Sequence, residues 1–181
     1  MTKRRPVVGV LGSGKAEHWD KAAALGRWLA TLTVHLLTGG GSGVMTSVAE
    51  AFAAVPGRAG LVVGIIPCSS GDAAVPKRGY PNPFVELAIM THLPLSGADG
   101  TDDRSRNHIN VLTSDVLVAL PGGEGTASEV ALAVRYGRPI AAYLDDRSEI
   151  PDLSADVPVF SALVEVQAFV LGCLALGPLE G

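Results

Sequence analysis

Short apolar runs rich in Val, Leu and Ile alternate along the chain with longer segments whose apolar residues recur at helical spacing. The runs predict strands at residues 6–12, 34–38, 60–66, 85–90, 115–120 and 139–144. The segments between them predict helices at residues 18–31, 44–55, 103–114 and 126–136, with a last helix at 158–176. Most of these strands are apolar throughout, as strands covered on both faces are. The alternation therefore predicts an α/β fold, a Rossmann-like three-layer sandwich with a mainly parallel sheet.

Length and hydropathy bound the organisation of the chain. Its 181 residues are typical of one domain that buries its own core, so we expect a single Rossmann-like nucleotide-binding domain over residues 1–181. Although 48% of the residues are hydrophobic, the longest apolar stretch, 157–176, is interrupted by Pro158, Glu165 and Gln167. These interruptions favour a partly buried helix over a membrane span, so no membrane partner is expected.

The net charge and the positions of cysteine and histidine argue against several classes of function. The formal net charge is −4 at pH 7, which provides no basic surface for a nucleic-acid partner. Cys68 and Cys173 are far apart, and the histidines lack the spacing of a metal site, so neither a metal nor a cofactor is expected. The short apolar run after residues 1–5 ends in a glycine turn, which fits a first strand better than a signal peptide and favours a cytoplasmic protein.

Three glycine-rich turns follow predicted strands, at the strand ends where parallel sheets bind ligands. The first turn is Gly12-Ser13-Gly14-Lys15, in which Ser13 and Gly14 are candidate phosphate contacts, because amides before a helix attract anions. The turn lacks the spacing of a dinucleotide fingerprint or a P-loop. A simple tight connection between strand and helix explains it equally well.

The second turn, residues 38–45, holds four glycines within five residues, a composition that costs backbone entropy. Close approach of the backbone to a ligand gives a reason for that cost. Gly40, Gly41 and Gly43 are therefore candidate ligand-binding residues. In the structural alternative, Ser42 only caps the helix that follows.

The third turn, residues 121–129, lies between an apolar strand and an apolar helix. Its candidate phosphate-binding or nucleotide-binding residues are Gly122, Gly123, Gly125 and Thr126. Thr126 and Glu129 also have the spacing of a capping box, in which Glu129 bonds back to the amide of Thr126. In that arrangement the Glu129 carboxylate would still lie at the helix mouth, beside a bound ligand.

Five segments together resemble the Lonely Guy superfamily, which includes proteins long labelled as lysine decarboxylases. They are residues 38–48, Gly64-Ile65-Ile66-Pro67, Ser105-Arg106-Asn107, Ser114-Asp115 and residues 121–129. The similarity extends from about the first strand to Leu144, and its Pro-Gly-Gly-x-Gly-Thr-x-x-Glu element is specific among parallel α/β proteins. Characterised members are similar to phosphoribohydrolases, which split cytokinin riboside 5′-monophosphates into base and ribose 5-phosphate. A close branch resembles molybdenum-cofactor carrier proteins.

The resemblance implies roles for individual residues. Arg106 and Glu129 match the family's catalytic arginine and glutamate, and the third turn matches its phosphate-holding turn. Asn107 stands where the well-studied enzymes have lysine, and the first turn lacks their Cys-Gly-Ser-Ser sequence; both differences resemble the carrier branch. Lysine decarboxylation is not expected, because no lysine lies in a recognisable pyridoxal phosphate context.

Cleavage of an N-glycosidic bond has a physical basis in two of these residues. Positive charge develops on the ribose as the bond breaks, so a carboxylate at Glu129 would stabilise the ribose and orient water. A guanidinium at Arg106 would hold the phosphate or ribose through forked hydrogen bonds. The alternative for Arg106 is a surface ion pair with Asp102 or Asp103.

Three further polar residues in this region receive structural interpretations. A solvated helix face explains His108 and Asn110. Asp115 is expected to organise the entry into the following strand rather than to take part in catalysis.

The sequence thus predicts a nucleoside 5′-monophosphate phosphoribohydrolase whose partner is a small phosphorylated molecule. The alternative is a non-catalytic carrier or sensor of molybdenum cofactor or of another phosphorylated pterin or nucleotide. A homodimer is expected, because the helix at 126–136 is apolar around most of its circumference and because the resemblance implies dimers. In the alternative, the last helix covers that face within one chain.

Overall fold

The structure, a computed structural model, describes residues 4–175. Its strands are β1 (Val7–Leu11), β2 (His35–Thr38), β3 (Val62–Ile66), β4 (Leu87–Met90), β5 (Val116–Ala119), β6 (Ile140–Tyr143) and β7 (Val159–Phe160). Its α-helices are α1 (Trp19–Leu29), α2 (Val44–Ala53), α3 (Asn107–Thr113), α4 (Glu124–Arg135) and α5 (Leu163–Ala175). The prediction of one domain over residues 1–181 extends beyond the described part of the chain.

All seven strands pair in parallel, in the order β4-β3-β2-β1-β5-β6-β7. The chain moves outward from β1 in one direction through β4 and then crosses back to place β5 on the other side of β1. The direction of winding therefore reverses between β1 and β5, and in open parallel sheets this reversal leaves a crevice at the carboxyl ends of the two strands. The α/β, Rossmann-like prediction is confirmed.

Alternate residues of the central strands supply two cores on opposite faces of the sheet. Val8 and Val10 of β1 belong to the core that contains buried residues of α1, α2 and α5. Leu11 of β1 and Leu117 of β5 belong to the core that contains residues of α3 and α4. The helices thus form a layer on each side of the sheet, which confirms the three-layer arrangement.

The edge strand β4 departs from the expected burial. Its four residues are all exposed, with Leu87 47% and Met90 52% accessible. On the sheet face that carries α3 and α4, α3 contacts β1 while α4 contacts β5 and β6. These helices therefore lie over the centre of the sheet and over the half that is away from β4. An apolar sequence therefore does not imply a covered strand at this edge.

The last predicted helix contains a strand that periodicity did not reveal. Residues 159–160 form β7, where the amide of Leu144 donates to the carbonyl of Phe160 at 3.0 Å, and α5 begins only at Leu163. A strand of two residues is too short to show alternation. Leu176, the predicted end of this helix, lies outside the described residues.

Two other helices begin at different residues from those predicted. The helix expected at 103–114 begins at Asn107, because residues 102–105 form a turn in which the Ser105 amide donates to the Asp102 carbonyl at 2.8 Å. The helix expected at 126–136 begins at Glu124. Within the part of the chain that the structure describes, no helix has the length and apolarity needed to cross a bilayer.

Candidate ligand-binding site

A cleft of about 440 Å³ opens at the carboxyl ends of β1 and β5. This volume is within the range of small-molecule sites. Seven predicted site residues line it: Ser13, Gly14, Arg106, Gly123, Gly125, Thr126 and Glu129. Eight further residues complete the lining: Gly12, Lys15, Met45, Tyr80, Ser96, Gly97, Asn107 and Glu124. The fold therefore brings the first and third turns together with the two predicted catalytic residues.

Hydrogen bonds tie the first turn to the third. The Ser13 amide donates to the carbonyl of Pro121 at 3.0 Å, so the backbone of the first turn is fixed against the start of the third. The Ser13 hydroxyl oxygen accepts from the amides of Lys15, at 3.1 Å, and Ala16, at 2.9 Å. Because these amides are bonded within the turn, the first turn offers a ligand fewer free amides than its sequence predicts.

The third turn leads into α4 without a side-chain cap. The N-cap residue is Gly123, and no side chain accepts a hydrogen bond there. The predicted capping box is wrong, because Thr126 already lies inside the first helical turn and Glu129 bonds elsewhere. The first amides of α4 therefore have no side-chain acceptor, and a helix N-terminus of this kind is suited to bind an anion.

The glycines of the second turn are explained by protein packing. A Cβ atom at Gly39 would overlap the guanidinium of Arg106, and one at Gly40 would overlap Ile66. Gly41 is likewise packed against Met45 and Tyr80, and Gly43 against the carbonyls of Ser13 and Ala16. The four glycines of this turn are not part of the cleft lining, although Met45 at its end is. The ligand-binding roles of Gly40, Gly41 and Gly43 stay predictions.

Ser42 and Gly122, in the second and third turns, also make contacts within the protein. Ser42 does not cap α2, whose N-cap is Gly43; its hydroxyl donates to the carbonyl of Gly14 at 3.0 Å and so links the first two turns. Gly122 lies behind the cleft wall, where a Cβ would overlap the Thr126 hydroxyl. Its direct contact with a ligand stays a prediction.

Arg106 lies at the N-cap of α3 and is only 5% exposed. Its guanidinium lies beside Gly39, with its central carbon 6.0 Å from the centre of the Tyr80 ring. Among the described residues, Nε and Nη1 are buried without a hydrogen-bond partner. A buried donor without an acceptor is costly, so the fold holds this guanidinium at the cleft wall at an energetic cost.

The surface ion pair considered for Arg106 is wrong. Asp102 instead pairs with the exposed Arg104, with Nε and Oδ1 3.4 Å apart. The turn at 102–105 places Arg104 in solvent while Arg106 enters the protein.

Glu129 lies one helical turn inside α4 and is partly buried at the cleft wall. Its Oε1 accepts a hydrogen bond from Nδ2 of Asn110 at 2.8 Å. Burial raises the pKa of the Glu129 carboxyl above its ordinary value, although the positive charge of Arg106 and the Asn110 hydrogen bond oppose that rise. The cleft thus contains a carboxylate whose charge depends on its neighbours, as catalytic and binding sites often do.

The interpretation of His108 and Asn110 as a solvated helix face is wrong. Asn110 is fully buried, and Nδ1 of His108 lies 2.7 Å from the hydroxyl of Tyr136. Asn107 is also buried and donates to the Ser128 hydroxyl at 3.1 Å, which in turn donates to the carbonyl of Gly125 at 2.8 Å. The sequence signal that could have indicated this buried face was the spacing of Asn107 and Asn110, since residues three apart on a helix share a face.

Asp115 has the structural role that the sequence indicated. Its carboxylate accepts from the amide of Val7 at 2.8 Å and from the guanidinium of Arg4 through both oxygens, including one bond of 2.9 Å. It therefore connects the starts of β1 and β5, at the end of the sheet opposite the cleft.

Comparison with known proteins shows the family to which this chain belongs. The sequence model of the SLOG cluster4 family matches residues 5–165. The chain is 32% identical over 136 residues to an uncharacterised protein of Archaeoglobus fulgidus, covering 74% of this chain and 77% of that protein.

Two solved structures are similar over nearly their whole length. The molybdenum cofactor binding protein of Rippkaea orientalis is 32% identical, with a TM-score of 0.69, covering 94% of this chain and 99% of that chain. The molybdenum cofactor carrier protein of Chlamydomonas reinhardtii is 29% identical, with a TM-score of 0.71, covering 95% of this chain and 99% of that chain. These likenesses and the family match confirm the superfamily that the motifs indicated, and the chain belongs to the SLOG cluster4 family.

Proposed function

We propose that this protein binds molybdenum cofactor, or a closely related phosphorylated pterin, in the cleft and acts as its carrier. One observation carries the proposal: the uncapped start of α4 and the unpartnered guanidinium of Arg106 line the same cleft. A helix N-terminus suits a phosphate, and a guanidinium suits phosphate or carbonyl oxygens. The similarity to a molybdenum cofactor binding protein and to a molybdenum cofactor carrier protein supports this choice of ligand.

Anaerobic titration with cofactor released from a molybdoenzyme tests the proposal. We expect the cofactor to co-elute with the protein in gel filtration, detected by pterin fluorescence after oxidation, and inorganic phosphate to reduce its binding. Absence of co-elution would contradict the carrier function.

A second candidate function is hydrolysis of nucleoside 5′-monophosphates. Glu129 favours it, because a carboxylate at the wall of a phosphate-binding cleft is suited to stabilise a developing ribosyl cation. Incubation with a panel of nucleoside monophosphates, followed by chromatography for free base, tests it. For a hydrolase, Glu129→Gln should nearly abolish base release and leave nucleotide affinity within about tenfold.

We further propose that the protein is a cytoplasmic homodimer assembled through the outer face of α4. Ala131 and Val134 on this face are exposed. Buried residues of α5 belong to the core on the other side of the sheet, so the alternative in which the last helix covers α4 is wrong. Light scattering should give about twice the 18.6 kDa chain mass, and Val134→Glu should lower it. A wild-type mass near that of one chain would contradict the dimer.

A further inference from the structure

Asn110 connects the two helices that form the inner wall of the cleft. It lies on α3, it is fully buried, and its Nδ2 donates to Oε1 of Glu129 on α4. We propose that Asn110 is a positioning residue, whose amide fixes the Glu129 carboxylate at the cleft wall and favours its charged form. This inference deepens the proposed function, on which the role of Glu129 toward the ligand rests.

The amide oxygen of Asn110 shows that a contribution to fold stability alone does not explain an asparagine at this position. Its Oδ1 is buried and has no hydrogen-bond partner among the described residues. A buried acceptor without a donor destabilises a fold, and an apolar side chain of similar shape would avoid that loss. Within residues 4–175, the one hydrogen bond of the Asn110 side chain is the one to Glu129. The structure therefore tolerates an unsatisfied amide oxygen at the position that contacts the carboxylate.

An amide is a suitable partner for a carboxyl group whose charge changes. Its N–H groups donate to an ionised carboxylate, whereas its oxygen accepts from a protonated carboxyl after a half-turn of the amide. In the observed orientation Asn110 donates, which is the arrangement that favours ionised Glu129. Burial of Glu129 acts in the opposite direction and raises the pKa of its carboxyl.

In the part of the chain that the structure describes, three charged side chains share the cleft with Glu129. Arg106, from the start of α3, shares the cleft and its charge favours the ionised carboxylate. Lys15 from the first turn and Glu124 from the start of α4 line the same cleft. His108, also on α3, is directed toward Tyr136 and the Asp102 carbonyl. Asn110 is therefore the direct hydrogen-bond donor to Glu129, while Arg106 acts through its charge.

A carbon-13 NMR titration of the glutamate carboxyl groups in the ligand-free protein tests the inference. The Glu129 resonance is assigned by its loss in Glu129→Gln. Asn110→Leu removes the donor, and we expect the pKa of Glu129 to rise by about one unit. Asn110→Asp is nearly isosteric and adds a like charge, so it should raise that pKa further and serves as a second variant if the leucine variant does not fold.

Asn82→Leu is the matched control. It removes another buried amide, one that donates to the carbonyl of Gly41 rather than to Glu129 and does not line the cleft. We expect the Glu129 pKa to stay at its wild-type value in this variant. An unchanged pKa in both Asn110 variants, or an equal rise in the control, would overturn the inference. Failure of wild-type protein to bind the cofactor would contradict the proposed function instead, because the titration needs no ligand.

Discussion

The two ends of the central sheet each contain a carboxylate and an arginine, but the two pairs differ in how completely they are bonded. At the amino end, Asp115 accepts from Arg4 through both oxygens and from the amide of Val7. At the carboxyl end, Glu129 accepts from Asn110, while two nitrogens of Arg106 have no partner among the described residues. The first network is complete within the protein, whereas the second leaves two buried guanidinium nitrogens without an acceptor among the described residues.

The protonation behaviour of the two carboxyl groups reflects this difference. Burial raises the pKa of Asp115, but hydrogen bonds from Arg4 and Val7 and the charge of Arg4 outweigh it and hold that pKa below the ordinary value. For Glu129, burial outweighs Arg106 and Asn110, and its pKa lies above the ordinary value. A saturated polar network thus stabilises the charged form, and an incomplete one leaves it only partly compensated.

The largest effect is expected from Arg106→Met. Loss of a buried charged donor should weaken binding of the molybdenum cofactor by at least about thirtyfold. The free protein should change little in stability, because the cost of a buried guanidinium with unbonded nitrogens is removed while the charge that favours ionised Glu129 is lost. Equilibrium dialysis and urea unfolding measure the two quantities. Arg104→Met, at an exposed residue paired with Asp102, is the control and should change neither. A loss of stability equal to the loss of affinity would show that Arg106 is structural.

Asp115→Asn should have the opposite pattern, a loss of stability without a loss of ligand affinity. It breaks a saturated network, so we expect the free energy of unfolding to fall by about 1–3 kcal/mol. Asp145→Asn is a suitable control, since Asp145 pairs with Lys21 at an exposed position, with its side chain 71% accessible. If cofactor affinity fell as well, the two ends of the sheet would not be independent.

The smallest effect, and the sharpest test of the comparison, is the pH dependence of Glu129→Gln. Because the folded pKa of Glu129 is raised, its ionisation destabilises the fold as pH rises above the unfolded value near 4. The variant should therefore be more stable than wild type at pH 7, by at most about 1 kcal/mol, and equal to it below about pH 4.

Asp115 has the opposite sign. Its pKa is lowered in the folded state, so its contribution is complete above the unfolded value near 4 and is lost as pH falls through the lower folded value. Urea unfolding between pH 3 and pH 8 measures the free energy of unfolding of Glu129→Gln and of Asp115→Asn. Identical pH profiles for the two variants would contradict the distinction drawn between them.

Local patterns in the sequence predicted the sheet and part of the site. The six longer strands are apolar runs, and the turn at residues 121–129 has a specific order of glycines, so both were visible in neighbouring residues. The strand β7 has only two residues, which is too few for a period. The cleft followed from topology, because the carboxyl ends of β1 and β5 meet where the winding reverses.

The interior of the site depends on contacts between distant segments, and these the sequence did not reveal. Whether Asn110 faces solvent or Glu129 depends on how α3 is rotated against α4, and both orientations fit the same polar residues. Burial of Arg106 likewise depends on space beside Gly39, which lies in another turn. Glycine richness indicated close approach of some group, but did not show that the group belongs to the protein.

Gly39 also bears on how this site is inherited. A side chain at position 39 would displace the Arg106 guanidinium. Substitutions at positions 39 and 106 should therefore be coupled in evolution, although the two residues are far apart in the sequence. Related chains that retain the buried arginine should retain the glycine, and those that have lost one should be free to lose the other. In related proteins, joint loss of Gly39 and Arg106 would mark the lineages in which selection no longer maintains the ligand of this cleft.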